Sequence, residues 1–204
     1  NSLLTNIHHL SQTGRRYYFR GPLVDVAEKL IGPNIKGATT QLTFKLRGNT
    51  MPFGWHQDNA YGELDPYNGI STLTALDDAD EENGCLWLIP GSHKGELFDY
   101  WDDHGHWGGC ILAPDLKRID LGRAVHLTGP AGTLQIHNCR LVHGSGVNLG
   151  AHPRCVDQPV TVGHAAPFGR AFNLLRCAPA RPALAAGHDQ PQIGTEEAIR
   201  FFHR

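Results

Sequence analysis

The chain carries Trp55-His56-Gln57-Asp58, a histidine and an aspartate two residues apart beside a tryptophan. On a β-strand, residues i and i+2 point to the same side. An imidazole nitrogen and a carboxylate oxygen so placed converge on one point and offer two ligands to a metal ion. A third ligand must come from elsewhere in the chain. The best candidates lie in GTLQIHNCRLVHGSGVN, residues 132–148. His137 and His143 each end a short apolar run there, and His143 precedes Gly144-Ser145-Gly146, where backbones can pack closely. Two histidines and one carboxylate on one face, with the opposite positions open, form the arrangement of non-haem Fe(II) oxygenases, because the open positions accept a bidentate co-substrate and O2. An isolated H-x-D is more often a plain hydrogen-bonded pair, so its surroundings decide its meaning.

Strands must position these residues. Residues 38–46 alternate strictly, with Ala38, Thr40, Leu42, Phe44 and Leu46 on one face and Thr39, Gln41, Thr43 and Lys45 on the other, which predicts a half-buried strand. Lys45 falls on the polar face and carries no assigned role. Residues 69–76 and 84–90 predict two further strands, joined by the polar turn 77–84, and 124–127, 133–137, 140–143 and 171–176 extend the strand-rich middle. A helix is expected over 21–32, with Pro22 in its first turn and Gly32 at its end. Another is expected over 195–202, capped by Thr195. Short strands punctuated by glycine and proline favour a barrel or sandwich over alternating βα units. No internal repeat or linker interrupts the 204 residues, so one domain over 1–204 is expected. The aromatic and histidine-rich segment 97–110 reads as a rim or lid.

Composition narrows the function further. A net charge of −2 leaves no broad basic surface for nucleic acid or anionic lipid. No apolar run approaches the length of a membrane span. No secretory or transit signal is visible, which sets the expectation of a cytoplasmic protein. The sequence opens at Asn1 without a methionine, so a preceding segment is expected. Cys85, Cys110, Cys139, Cys155 and Cys177 are widely spaced and include no C-x-x-C. They are expected to be reduced and mostly buried rather than to bind zinc. The acidic run Asp77, Asp78, Asp80, Glu81 and Glu82 reads as a solvated turn rather than a calcium site.

FKLRGNTMPFGWHQD (44–58), LTALDDADEENGCLWLIPGSHKGEL (73–97) and GTLQIHNCRLVHGSGVN followed, after five intervening residues, by Arg154 together resemble the phytanoyl-CoA dioxygenase family of Fe(II)/2-oxoglutarate-dependent oxygenases. The resemblance spans roughly residues 38 to 154. It implies a mainly β fold: a double-stranded β-helix, a distorted jelly roll of cupin-like type, with flanking α-helices. It implies His56, Asp58 and His143 as the iron ligands and leaves His137 as a buried, non-ligating residue. It implies that 2-oxoglutarate is the co-substrate and that Arg154 holds its far carboxylate, for which a planar guanidinium suits a bidentate pair. Ser145 and Thr72 are the expected hydroxyl contacts. Pro159 makes the segment after Arg154 a poor strand, so Arg170, which opens 171–176, stays a rival for that role. The intact carboxylate at Asp58 favours hydroxylation over halogenation.

The expected activity is therefore O2-dependent oxidation of a C–H bond in a small molecule, with 2-oxoglutarate converted to succinate and CO2. Tyr61, Tyr67, Phe98, Tyr100, Trp101 and Trp107 are expected near the cavity mouth and suggest a small, partly apolar metabolite. The competing readings are a non-catalytic protein that binds metal and 2-oxoglutarate, and a zinc hydrolase on the same three ligands.

Overall fold

A computed structural model describes residues 2–48, 50–61 and 69–163. The strand expected over 171–176 and the helix expected over 195–202 lie outside the described residues, as do Tyr67, Arg170 and Cys177. Strand β1 (Ser2–Thr5) leads into helices α1 (Ile7–Leu10), α2 (Gln12–Phe19) and α3 (Pro22–Ile31). The Ser11 hydroxyl caps α2 by accepting from the Gly14 N–H at 3.2 Å. Pro22 begins α3, whose expected span holds. Then come β2 (Ile35–Lys45), β3 (Phe53–His56), β4 (Gly69–Ala75), β5 (Leu86–Leu88), α4 (Ala113–Leu116), β6 (Val125–Leu127), β7 (Leu134–Asn138), β8 (His143–Ser145) and β9 (Arg154–Gly163). Among the described residues no helix is long and apolar enough to cross a membrane.

The strands form two antiparallel sheets, ordered β1-β2-β9-β4-β7 and β3-β8-β5-β6. Leu73 of β4 and Val156 of β9 pack with Leu86 of β5 and Leu127 of β6, so the sheets face each other across an apolar seam. This is the double-stranded β-helix expected from the resemblance, with helices laid on the outside of the larger sheet. A second cluster, Ile7, Leu42, Phe44 and Cys155, joins α1 to that outer face.

Three local expectations need correction. β2 is not half-buried in its second half: Leu42, Thr43, Phe44 and Lys45 are all buried. Leu42 and Phe44 meet α1, while Thr39, Gln41 and Thr43 line the cavity between the sheets. The polar face of the strand therefore looks into the barrel rather than into solvent. The strand expected at 140–143 instead begins at His143. The Leu141 N–H donates to the Asn138 carbonyl at 2.8 Å and the Val142 N–H donates to the Ser92 hydroxyl at 2.8 Å, so the intervening residues form a turn. Arg154 does open a strand despite Pro159. Pro159 is paired with Thr40 of β2, and on its other side the β4 register skips from Ser71↔Val160 to Thr74↔Asp157, so the proline sits where that ladder is interrupted.

The acidic run is a hydrogen-bonded turn. Asp77 accepts from the Cys155 N–H at 2.9 Å, Asp78 from the Ala131 N–H at 2.8 Å and Asp80 from the Asn83 N–H at 2.7 Å. The described cysteines are free, with Cys85, Cys139 and Cys155 buried and Cys110 partly exposed.

Candidate active site

The smaller sheet positions two of the expected ligands. His56 ends β3 and stands opposite His143, which opens β8. Their ring centroids are 4.1 Å apart. Such a close approach depends on Gly144, because a Cβ there would lie 3.0 Å from the Phe53 carbonyl oxygen. Asp58 joins them by a route the strand period did not foresee. The chain leaves β3 after His56 and Asp58 begins a 3-10 turn, Asp58–Tyr61. The carboxylate swings back as the backbone turns, rather than by alternation along a strand. Asp58 Oδ1 then lies 3.7 Å from His56 Nε2 and 3.6 Å from His143 Nε2.

Hydrogen bonds fix which nitrogens face that oxygen. His56 Nδ1 is 2.7 Å from the Gly54 carbonyl oxygen, and His143 Nδ1 is 2.8 Å from that of Leu141. A carbonyl only accepts, so each Nδ1 carries a proton, and in the neutral ring each Nε2 then presents its lone pair. One ligand atom from each of His56, Asp58 and His143 lies within 4.8 Å of the others. Burial alone would raise the Asp58 carboxyl, but the imidazoles of His143, His137 and His56 outweigh it and hold the group well below the usual carboxylate range. Burial, with His56 close by, drives His143 well below the ordinary histidine value. One anionic oxygen and two neutral nitrogens are the donor set a divalent first-row metal takes, so the residues fit an iron ion.

Gln57 holds the ligand pair in place. Its amide donates to the carbonyls of Glu96 (2.9 Å) and Arg140 (2.7 Å) and accepts from the Phe98 N–H (3.0 Å). Its backbone bonds the buried Tyr100 hydroxyl in both directions. Tyr100 is therefore core, packed with Ile89, Ile111 and Val142, and not part of a cavity mouth. Phe98 packs on the same cluster. Among the aromatic residues expected at the mouth and described, Tyr61 lines the cavity. Trp107 packs behind it with its ring tilted, centroids 5.9 Å apart, and Trp101 lies beyond Trp107 at 5.2 Å.

A second polar cluster sits on the larger sheet. Lys45 and Arg154 are direct partners across β2 and β9 and are respectively 0% and 3% exposed, an unusual pairing of two buried cations. The Lys45 ammonium donates to the Ser145 hydroxyl at 2.6 Å and to the Gly146 carbonyl. Arg154 Nε is buried without a hydrogen-bond partner. Burial, reinforced by the Arg154 charge, pulls the Lys45 ammonium down to about 7. Ser145 and Arg154 line one cavity of about 540 Å³ together with His56, Asp58 and His143. The two polar clusters thus share a chamber. A guanidinium and a hydroxyl at one end of it, with the Lys45 ammonium bonded to that hydroxyl, fit the carboxylate of a dicarboxylic acid.

Of the expected co-substrate contacts, Ser145 and Arg154 are brought together. Thr72 is not. Leu73 faces the cavity, so its neighbour Thr72 points to the opposite face of β4, the side on which Thr74 meets Tyr17 of α2. Lys45 carries no role on the sequence pattern alone. Its signal was a lysine on the polar face of a strand, which becomes informative only once that face is known to be the barrel interior. His137, on β7, lies outside the ligand set, yet its Nε2 is 3.7 Å from Asp58 Oδ2.

Residues 4–156 match the family model described as phytanoyl-CoA dioxygenase (PhyH). A probable alpha-ketoglutarate-dependent hypophosphite dioxygenase of Stutzerimonas stutzeri is 32% identical over 160 residues, covering 76% of this chain and 53% of its own length. The peroxisomal phytanoyl-CoA dioxygenase of Bos taurus is 34% identical over 140 residues, covering 65% of this chain and 41% of its own. The crystal structure of EctD from S. alaskensis with 2-oxoglutarate and 5-hydroxyectoine superposes with a TM-score of 0.69 at 26% identity, covering 79% of this chain and 56% of that one. The chain thus spans about half the length of the relatives it matches.

Proposed function

The chain belongs to the phytanoyl-CoA dioxygenase family, and from that premise we propose that it is an Fe(II)/2-oxoglutarate-dependent dioxygenase that oxidises an unactivated C–H bond of a small molecule. The observation that carries this reading is one cavity lined both by a His-Asp-His cluster and by Ser145 and the buried Arg154, with the Lys45 ammonium bonded behind Ser145. His56, Asp58 and His143 hold the iron in this reading, and their fixed Nδ1 protons leave the Nε2 atoms free to ligate. Iron bound there supplies O2 activation, coupled to decarboxylation of 2-oxoglutarate to succinate and CO2.

The rest is done by the chain. Arg154 and Lys45 neutralise the far carboxylate of 2-oxoglutarate. Because Lys45 donates to the Ser145 oxygen, the hydroxyl proton of Ser145 is free to point at the same carboxylate. Leu73, Leu86 and Val156 give the chamber an apolar wall, which strengthens charge pairing by excluding water. Substrate enters beside Tyr61 and the outer half of β2. The chamber's charged lining among the described residues is taken up by metal and co-substrate, which favours a substrate held mainly by shape and neutral polar groups.

The test is anaerobic titration of metal-free protein with Fe(II) and 2-oxoglutarate, followed by admission of O2. The expected outcome is a weak visible charge-transfer band that requires both additions, then succinate. A band without succinate across a broad metabolite panel would favour a binding protein. Hydrolysis supported by zinc, with no need of 2-oxoglutarate, would replace the oxygenase.

A further inference from the structure

We infer that His137 is a positioning residue that holds Asp58 as a one-oxygen ligand and so keeps a coordination position open. The inference rests on the proposed role of Asp58 as a ligand. The two oxygens of that carboxylate have different surroundings. Oδ1 faces the Nε2 atoms of both His56 and His143. Oδ2 points the other way, to Nε2 of His137 at 3.7 Å. The His137 side chain is 2% exposed and comes from β7 in the opposite sheet, where it stands across from Ser71.

Polar satisfaction says what the contact is for. Asp58 Oδ2 is buried without a hydrogen-bond partner, and so are both ring nitrogens of His137. Buried donors and acceptors are rarely left unpaired. The Oδ2 and Nε2 atoms are the obvious match. A movement of under about 1 Å brings them to the length of a charge-assisted N–H···O bond. His137 also lies 4.5 Å, ring to ring, from His143, so its place beside the cluster is set by packing as well.

The consequence concerns coordination number. A carboxylate with an unoccupied second oxygen can swing to bind an ion through both. That would consume one of the positions a keto acid and O2 need on a three-ligand face. An N–H bond to Oδ2 removes that option and fixes the plane of the carboxylate. Hydrogen bonds from beyond the ligands commonly tune metal affinity in this way.

Cobalt(II) gives a readout independent of turnover, since its visible bands weaken as coordination rises to six. Wild type and His143→Ala are titrated first. A cobalt spectrum that does not depend on His143 would remove the proposed metal site, and this inference with it. With the site confirmed, His137→Phe is expected to bind cobalt about 10–100-fold more weakly. Its bands should be weaker, and 2-oxoglutarate should perturb them less. His137→Gln, whose amide can donate to Oδ2, should recover most of the wild-type affinity and spectrum. If the Phe variant does not fold, by thermal unfolding of the metal-free protein, His137→Leu takes its place. Two results would overturn the inference. One is wild-type affinity and spectrum in the donor-free variant. The other is loss of one coordinating nitrogen, in the magnetic resonance spectrum of the copper(II) form, in both variants, which would make His137 a ligand.

Discussion

The two polar ends of the chamber are built on opposite principles. At the imidazole end, every Nδ1 of the ligand pair is bonded to a carbonyl of its own strand or turn, and Gln57 ties the loop beneath them to three backbone groups. That end is assembled on the smaller sheet and the turn after it, with His137 of the larger sheet set against the second oxygen of Asp58. At the other end, two like charges are buried side by side on the larger sheet, and one guanidinium nitrogen is unsatisfied. Burying unpaired charge is costly, so that end is at ease only with an anion present. One end is preorganised and the other is held in tension. Affinity for metal should therefore depend on geometry, and affinity for the dicarboxylate on charge.

Substitutions at each end test this contrast. The largest effect is expected from His143→Ala, which removes a ligand and should abolish the iron–keto acid band and succinate formation together. Arg154→Ala should leave metal binding intact while weakening 2-oxoglutarate by about 10–100-fold, the loss of about 1.5–3 kcal/mol expected for a hydrogen-bonded charge. Calorimetry would measure it, and Arg154→Lys should recover only part, because a lysine lacks the planar fork. If Arg154→Ala binds 2-oxoglutarate normally while Arg170→Ala does not, the assignment passes to Arg170.

Lys45→Met probes the tension itself and should weaken 2-oxoglutarate less than loss of Arg154. The ammonium is pulled down to about 7, so above that pH the folded protein holds it largely neutral while the unfolded chain keeps its proton. Stability of the metal-free protein should therefore rise as pH climbs from about 7 towards the ordinary lysine range near about 10, and the Met variant should flatten that slope. Binding of the dicarboxylate should restore the charge and take up a proton near pH 8. Calorimetry in buffers of different ionisation heat would detect the uptake, and Lys45→Met should abolish it. The smallest effect is expected from Thr72→Val, which faces away from the chamber and should leave co-substrate affinity unchanged.

The same contrast explains what could be read in advance. The clustering of His56, Asp58 and His143 was legible because they are rare types at tight spacing, His56 with Asp58 and His143 before a glycine-rich run. β4, β6 and β7 were legible within a residue or so because their apolar patterns are short and clearly bounded. The cation end was half legible. That Arg154 reaches the cavity was suggested by its distance from His143, whereas the place of Lys45 depends on which face of β2 is inside, and alternation alone cannot distinguish a wet exterior from a polar interior. Asp58 joins the two histidines as expected but by another route, since a turn rather than a strand delivers it. Tyr100 misled because an aromatic residue in an irregular insert can be core as readily as rim, and only its bond to Gln57 decides.

The inward face of β2 also works as a graduated scale. Lys45, Thr43, Gln41 and Thr39 step outward from the co-substrate end, about 6.6 Å for each pair of residues, and the last three border the chamber. The pairing with β9 slips between Gly37 and Thr39, just where this series ends. A bulkier side chain at 43 would shorten the space for every occupant, one at 41 would reject only mid-length molecules, and one at 39 would trim only the longest. Reading which of the three blocks turnover would measure the length of an unidentified substrate before its structure is known.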